Sequence, residues 1–463
     1  MHKGAEDMTN RDKSDKTQAS LHNKRASLSE VNRSITVTQS RSFWRNFFTF
    51  SGPGALVAVG YMDPGNWITS VVGGATYKYA LLSVILLSSL VAMQLQHMCG
   101  KLGLVTHQDL AQHLAARSPK WLRWILFVVI ELALVATDLA EVLGSAIALH
   151  LLFDIPILIA IIITVLDVII LLGLMHLGFR KIEAVVSALI FTIVVIFGYL
   201  VALSGPDFGD IMRGYIPNPG TFMNGKDSAT ILALSLGIIG ATVMPHNLYL
   251  HSSIVQTRDV DSRNEQELDK AVRFMTLDSN VQLSMAFVVN SLLLILGASV
   301  FYGHAQDVMA FEQMYNALAN PHIAGVIASK FVATLFAVAL LASGQNSTIT
   351  GTLTGQIVLE GFMHIKAPQW IIRLLTRAIT LVPVIVVAVL SNGSEHSLDD
   401  LIVYSQVFLS LALPFSIYPL IYFTSKKSIM GRYANARWNT ILGYVVATVL
   451  TILNLQLIVS VVM

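Results

Sequence analysis

Apolar stretches of membrane length recur along this chain from about residue 50 to its end, separated by short polar segments. Each is close to the ~20 residues that an α-helix needs to cross a bilayer. Eleven of them lie near 50–76, 79–99, 122–149, 155–175, 182–204, 229–254, 278–301, 325–348, 370–390, 399–423 and 439–461. The pattern predicts an all-α integral membrane protein of about eleven transmembrane helices. The first 45 residues are different, a mixture of Lys, Arg, Asp, Glu, Ser and Asn without the apolar core of a secretory signal. They predict a disordered cytosolic tail over 1–45, followed by one transmembrane domain over 46–463.

Composition sharpens this reading. Of 463 residues, 54% are hydrophobic and only 13% charged, with a mean hydropathy of +0.65, whereas soluble domains carry about 25% charged residues. The single cysteine, Cys99, excludes an intrachain disulfide and a thiolate metal cluster. The net charge of +2 says little, but its distribution says more. With the N-terminus in the cytosol, 24 Lys and Arg fall in the tail and inside loops. Only Lys78, Arg213 and Lys226 fall outside, and Lys330, Arg373 and Arg377 lie within spans. The positive-inside rule therefore predicts a cytoplasmic N-terminus and, from the odd number of spans, an extracellular C-terminus, for a protein expected in the plasma membrane.

Two spans carry interruptions in matching places. The first reads Gly60-Tyr61-Met62-Asp63-Pro64-Gly65-Asn66-Trp67 and the sixth Ala241-Thr242-Val243-Met244-Pro245-His246-Asn247. Non-helical backbone at membrane depth survives only where protein buries it or it lines a cavity. Broken helices at corresponding positions of two halves point to an inverted repeat with a substrate site at the midplane. The expected halves are 46–204 and 205–424, each of five helices, with 425–463 as an additional eleventh helix.

The prolines indicate which backbone atoms become available. Without an N–H, Pro245 frees the carbonyl of Ala241 and Pro64 that of Gly60, and Met244 and Asp63 are pushed out of helical geometry. The helix breaks at Pro64, Gly65 and Pro245 can thus present two carbonyl oxygens, the Asp63 carboxylate, the Asn66 amide oxygen and the Met244 thioether. Such a set suits one metal cation. An intramembrane Asp is expensive enough that function is its default reading. Hard Mg²⁺ and Ca²⁺ gain little from a thioether, so the set should favour Mn²⁺, Fe²⁺, Co²⁺ and Cd²⁺.

Further ionisable residues lie inside spans. Glu131, Asp138 and Glu141 share one face of the third, Arg373 and Arg377 one face of the ninth, and the sixth carries His246 and His251. Two readings stand: a static ion network joining helices, or a proton relay through half-paired carboxylates and histidine.

At these residues the chain resembles the natural resistance-associated macrophage protein (Nramp) family of proton-coupled divalent metal transporters, above all its bacterial manganese-uptake branch. The resemblance rests on Asp63-Pro64-Gly65-Asn66, on Met244-Pro245-His246-Asn247 and on the run Gly344-Gln345-Asn346-Ser347-Thr348-Ile349-Thr350-Gly351-Thr352 in the eighth span. It implies the leucine-transporter-like inverted repeat. It also implies metal binding by Asp63, Asn66, Met244 and the Ala241 carbonyl, joined in some conformations by the Gly60 carbonyl and Gln406. Asp63 would first accept the proton, linked to His246, Glu141 and Asp138, with Arg373 and Arg377 toward the exit. The expected function is proton-coupled uptake of Mn²⁺ or Fe²⁺ by a secondary transporter, with the metal ion as cargo. No cofactor, nucleic acid or obligate protein partner is expected.

Two other classes are open to the residues alone. A symporter of the same fold carrying an amino acid with Na⁺ would need a pocket for an organic carboxylate or amine, where this chain offers Asp63 and Met244. A membrane enzyme or receptor would need a nucleophile–base pair, a cofactor motif or a sizeable soluble domain, and no such motif is evident.

Overall fold

The protein is described here by a computed structural model covering residues 32–37, 42–166, 179–218, 220, 228–261, 264–364, 369–390 and 395–462. Among the described residues each expected span is mainly helical. The first is split into Pro53–Val59 and Pro64–Tyr77 around a short 3₁₀ turn, Gly60–Met62. Then come Leu82–Thr106, Lys120–Phe153, Ile157–Ile163 and Phe179–Ser204; the rest of the fourth span, 167–178, lies outside the described residues. The sixth is split into Ser228–Thr242 and Pro245–Ile254. Glu265–Val300, Lys330–Met363 and Gln369–Leu390 follow, then Glu395–Ala412, Pro414–Ser425 and Arg437–Val462. Among the described residues seven helices are long and apolar enough to cross a membrane, and Pro53–Met62, Ile157–Leu166 and Leu374–Val387 are shorter apolar ones. The tenth span, expected as one helix, is also two pieces, because Pro414 cannot continue the hydrogen-bond ladder of the first.

The core is a bundle built around the two expected breaks. The eighth span packs along the third, the seventh against both pieces of the first, and the tenth against the third and sixth. Small residues set the closest approaches. A Cβ on Gly74 would lie 2.2 Å from the Leu294 carbonyl oxygen, and one on Gly297 would lie 2.3 Å from that of Val71. The first and seventh spans therefore touch backbone to backbone, as membrane helices do where glycines face each other. The run Gly344–Thr352 lies within unbroken helix, so its small residues serve close contact rather than an unwound turn.

The N-terminal region corrects one expectation. Residues 1–31 and 38–41 of the tail lie outside the described residues, but 32–37 are not disordered: Ile35–Thr36 pairs in parallel with Arg258–Asp259. Helix Phe43–Phe50 also begins inside the expected tail. At this end of the bundle Arg258, counted by charge as a loop residue, is fully buried. All five of its N–H groups find acceptors. Nε donates to the Phe50 carbonyl (2.8 Å) and Nη1 to Glu183 Oε1 (2.7 Å) and Thr257 Oγ1 (3.0 Å), while Nη2 donates to the Ser51 carbonyl (2.8 Å) and Glu183 Oε2 (3.1 Å). Arg180 also donates to the Ser51 and Phe48 carbonyls. Asp278 of the seventh span accepts from Ser51 Oγ and from the Gly52 and Gly54 amides. The start of the first span is thereby clamped to the fifth, sixth and seventh.

Removing one member of a buried pair leaves an uncompensated charge. Glu183→Gln is expected to destabilise the fold by about 3–5 kcal/mol, read as a lower midpoint of thermal unfolding in detergent. A wild-type midpoint would mean that the Arg258 pair does not hold this end together.

Candidate metal site

Asp63 is the N-cap of Pro64–Tyr77, with extended backbone (φ −66°, ψ 163°) as Pro64 requires. Its Oδ1 accepts from the Asn66 backbone N–H (3.1 Å), a normal cap, and from the Asn66 side-chain amide (2.8 Å). The same Asn66 Nδ2 donates to the Ala241 carbonyl (2.8 Å), the one that Pro245 deprives of its helical partner. One side chain of the first break thus satisfies the orphaned backbone of the second. Met244 caps Pro245–Ile254 with φ −78° and ψ 130° and is fully buried beside Ala133, Ala136, Leu409 and Ala412. Asp63, Asn66, Ala241, Met244 and Gln406 are all buried.

Oxygen atoms in this region lack hydrogen-bond partners among the described residues, namely Asp63 Oδ2, Gln406 Oε1 and Asn247 Oδ1. Leaving such atoms unmatched in a low-dielectric interior is unfavourable, and a cation would satisfy them. Gln406 lies against the first break, since a Cβ on Gly65 would stand 2.0 Å from its Nε2. Gly60 lies against Asn247 in the same way, at 2.1 Å from Nδ2. Asn247 belongs to the motif of the second break, yet residue type alone assigns it no role there. Its signal in the sequence is a second polar residue directly after the second break, following His246. No group of three His, Cys, Asp or Glu side chains able to hold a metal occurs among the described residues. A cation here would rely on one carboxylate together with amide, carbonyl and thioether donors.

The proton candidates divide into two sets. The His246 ring nitrogen Nδ1 pairs with Thr137 Oγ1 (3.3 Å), next to Asp138. Asp138 is ion-paired to Arg377 (3.0 Å), and Arg377 also donates to the Asp138 carbonyl (3.4 Å) and Thr348 Oγ1 (3.2 Å). Glu141 is buried against Gly351, whose Cβ would lie 3.0 Å from Oε1. Three residues on, Gly144 accommodates the Pro64 ring, where a Cβ would come within 2.4 Å, so the third span carries its acids alongside the first break. Glu131 is half-buried on the same helix, and the Arg373 side chain lies outside the described residues. His251 belongs elsewhere. Its Nδ1 meets Gln96 Oε1 (3.0 Å), and Gln96 donates to the Tyr61 hydroxyl (2.8 Å). It faces the second span rather than the acids of the third.

Known proteins resemble this chain closely. The family described as natural resistance-associated macrophage protein-like matches residues 54–460. A divalent metal cation transporter MntH of Levilactobacillus brevis is 54% identical over 94% of both chains. One of Lacticaseibacillus casei is 52% identical over 97% of this chain and 98% of its own. The crystal structure of a manganese transporter from Eremococcus coleocola, bound to an aromatic bis-isothiourea compound, has a TM-score of 0.88. It is 49% identical and covers 93% of this chain and 90% of its own. A nucleobase-cation-symport-1 transporter shares 14% identity at a TM-score of 0.51, a likeness of fold alone that places the chain among leucine-transporter-like inverted repeats. Both proline breaks, the carbonyl bridge between them and the acids of the third span lie inside the matched region, and the chain belongs to the natural resistance-associated macrophage protein family.

Proposed function

We propose that this protein takes up divalent transition-metal ions, Mn²⁺ or Fe²⁺ with Co²⁺ and Cd²⁺ also admitted, together with protons and by alternating access. The observation that carries the reading is the Asp63–Asn66–Ala241 bridge across the two breaks. Both neighbours of the Asn66 amide are acceptors, so its NH₂ group faces them. Two oxygens thus converge on a point held by N–H donors. A cation at that point would satisfy both oxygens at once, and the amide would turn its oxygen to the ion. Met244 would add its sulfur, and the free oxygen of Asp63, with the Gln406 side chain and the Gly60 carbonyl in some conformations, would complete the shell. The names of the relatives support a metal cargo.

Thioether ligation favours softer ions, so Met244 would discriminate against Mg²⁺ and Ca²⁺. The proton would enter at Asp63 and pass by His246 and Thr137 to Glu141 and Asp138, with Glu131, Arg377 and Arg373 toward the exit. The contact between His251 and Gln96 supports a separate branch for that histidine. The distribution of Lys and Arg supports a plasma-membrane protein with a cytoplasmic N-terminus and an extracellular C-terminus. Inward movement of a divalent ion with one proton carries three charges, worth roughly 7 kcal/mol per 100 mV of membrane potential.

Uptake into proteoliposomes tests the site. Asp63→Ala is expected to reduce Mn²⁺ entry to the level of protein-free liposomes, and normal entry would refute the assignment. Met244→Ala should keep Mn²⁺ transport but let Ca²⁺ compete where it does not in the wild type. Unaltered selectivity would remove the sulfur from the argument. A lumenal pH dye reads the coupling, with acidification accompanying Mn²⁺ entry in the wild type. Glu141→Gln should lower the acidification per ion moved, and a wild-type ratio would take Glu141 off the proton route.

A further inference from the structure

The eleventh span lies outside the two five-helix halves, yet one of its side chains reaches the machinery of the tenth. We propose that Asn454 is a positioning residue for the metal site, holding Gln406 in place by capping the carbonyl that Pro414 frees. The proposal rests on the metal-binding reading above.

Pro414 has no N–H, so the carbonyl of Ser410, four residues earlier, loses its helical donor. The Leu413 amide reaches it only at 3.3 Å and has a shorter bond to Leu409 (3.1 Å). Asn454 Nδ2 supplies the missing donor at 2.8 Å, and Ser410 Oγ donates back to Asn454 Oδ1, also at 2.8 Å. Both ends of the amide are therefore used on one residue. Asn454 is 3% exposed, while its neighbours Ile452 and Leu455 are 58% and 57% exposed on a largely lipid-facing helix. An amide turned inward at membrane depth is unfavourable unless matched, and here it is matched twice.

Ser410 is well placed to transmit this. It lies one helical turn beyond Gln406 and on the same face. The helix piece that carries both, Glu395–Ala412, packs on the third and sixth spans, whereas Pro414–Ser425 packs on the eleventh and second. The junction between the pieces is where the tenth span can bend, and Asn454 grips its last turns. Gly240 sits directly opposite: a Cβ there would lie 2.5 Å from the Gln406 carbonyl and 2.9 Å from Ser410 Cβ. The next residue, Ala241, supplies the carbonyl that Asn66 bridges. From Asn454 to Ser410, to Gln406 against Gly65, and to Gly240 beside Ala241, each contact leads to one of the two breaks. Without the Asn454 amide the Ser410 carbonyl keeps only the long contact from the Leu413 amide, the turn that carries Gln406 loses its tether to the eleventh span, and the Gln406 oxygen is lost to the ion.

The test is Mn²⁺ binding to the purified full-length chain by calorimetry. Asn454→Leu is expected to weaken binding by about three- to ten-fold, the worth of interhelical hydrogen bonds within a bilayer. If Asn454 acts through Gln406, Asn454→Leu combined with Gln406→Ala should bind no more weakly than Gln406→Ala alone. Pro414→Ala restores an N–H opposite the Ser410 carbonyl, so adding it to Asn454→Leu should recover most of the loss. A merely structural contact would lower the unfolding midpoint without moving the dissociation constant. Wild-type affinity in Asn454→Leu, or losses that multiply in the double variant, would overturn the proposal. If Asn454→Leu does not yield monodisperse protein, Asn454→Ser carries the same comparisons. Asp63→Ala separates the two readings. Loss of binding there with wild-type affinity in Asn454→Leu sinks only the positioning role, whereas retained binding in Asp63→Ala sinks the metal site itself.

Discussion

The constraint behind this structure is that a backbone carbonyl cannot be left without a donor in hydrocarbon. Pro245 and Pro414 each remove one donor, and the chain supplies another. Ala241, released by Pro245, takes the amide of Asn66. Ser410, released by Pro414, takes the amide of Asn454. In both cases the replacement is an asparagine from a different helix, so the repair of a broken helix also becomes a tertiary contact. The first case brings two breaks together around one point, and the second ties the eleventh helix to the tenth.

The same economy governs packing around the breaks. Pro64 needs room where its ring meets the third span, and Gly144 provides it. That contact sets the register of the third span, so that Glu141, Asp138 and Thr137 follow along the helix from the first break. His246 then meets Thr137, and Arg377 neutralises Asp138 from the ninth span. Charges that would be prohibitive in lipid are held because each faces the interior of the bundle. A proton relay and a static network would use the same residues. The difference lies in whether a carboxylate can change its charge without disrupting its neighbours.

Much of this was legible in the sequence because hydrophobic length and proline position are local properties. The spans, both expected breaks, and Asp63, Asn66 and Met244 as their flanking residues follow from reading along the chain. What was not legible depends on which helix faces which. Arg258 reads as a loop cation because loops collect basic residues, and only the fold reveals Glu183 and the Phe50 and Ser51 carbonyls waiting for it. Ile35–Thr36 is too short to announce itself as a strand, and its partner lies more than two hundred residues away. His251 shares a helix with His246 but points to Gln96, since five residues along a helix is more than one turn. Pro414 lies inside the tenth span, and its consequence appears only when Asn454 is found across from it.

These placements bear on how such a site could open and close. The clamp at the Arg258 end is made of polar bonds, with every guanidinium N–H satisfied. Water can replace those bonds one for one when the helices part, whereas separating an interdigitated apolar interface exposes surface with no compensating partner. On the proposed reading the breaks would behave alike, since an ion would take over the two acceptors that Asn66 now serves. A transporter of the proposed kind must move between states of similar free energy, so contacts that can be exchanged serve it better than contacts that can only be lost. On that argument the helices that should move are those whose ends are held by exchangeable bonds, namely the first, the sixth and the first piece of the tenth. The third and eighth spans, packed through Gly344 against Ser145 and Gly351 against Glu141, would form the frame against which they turn.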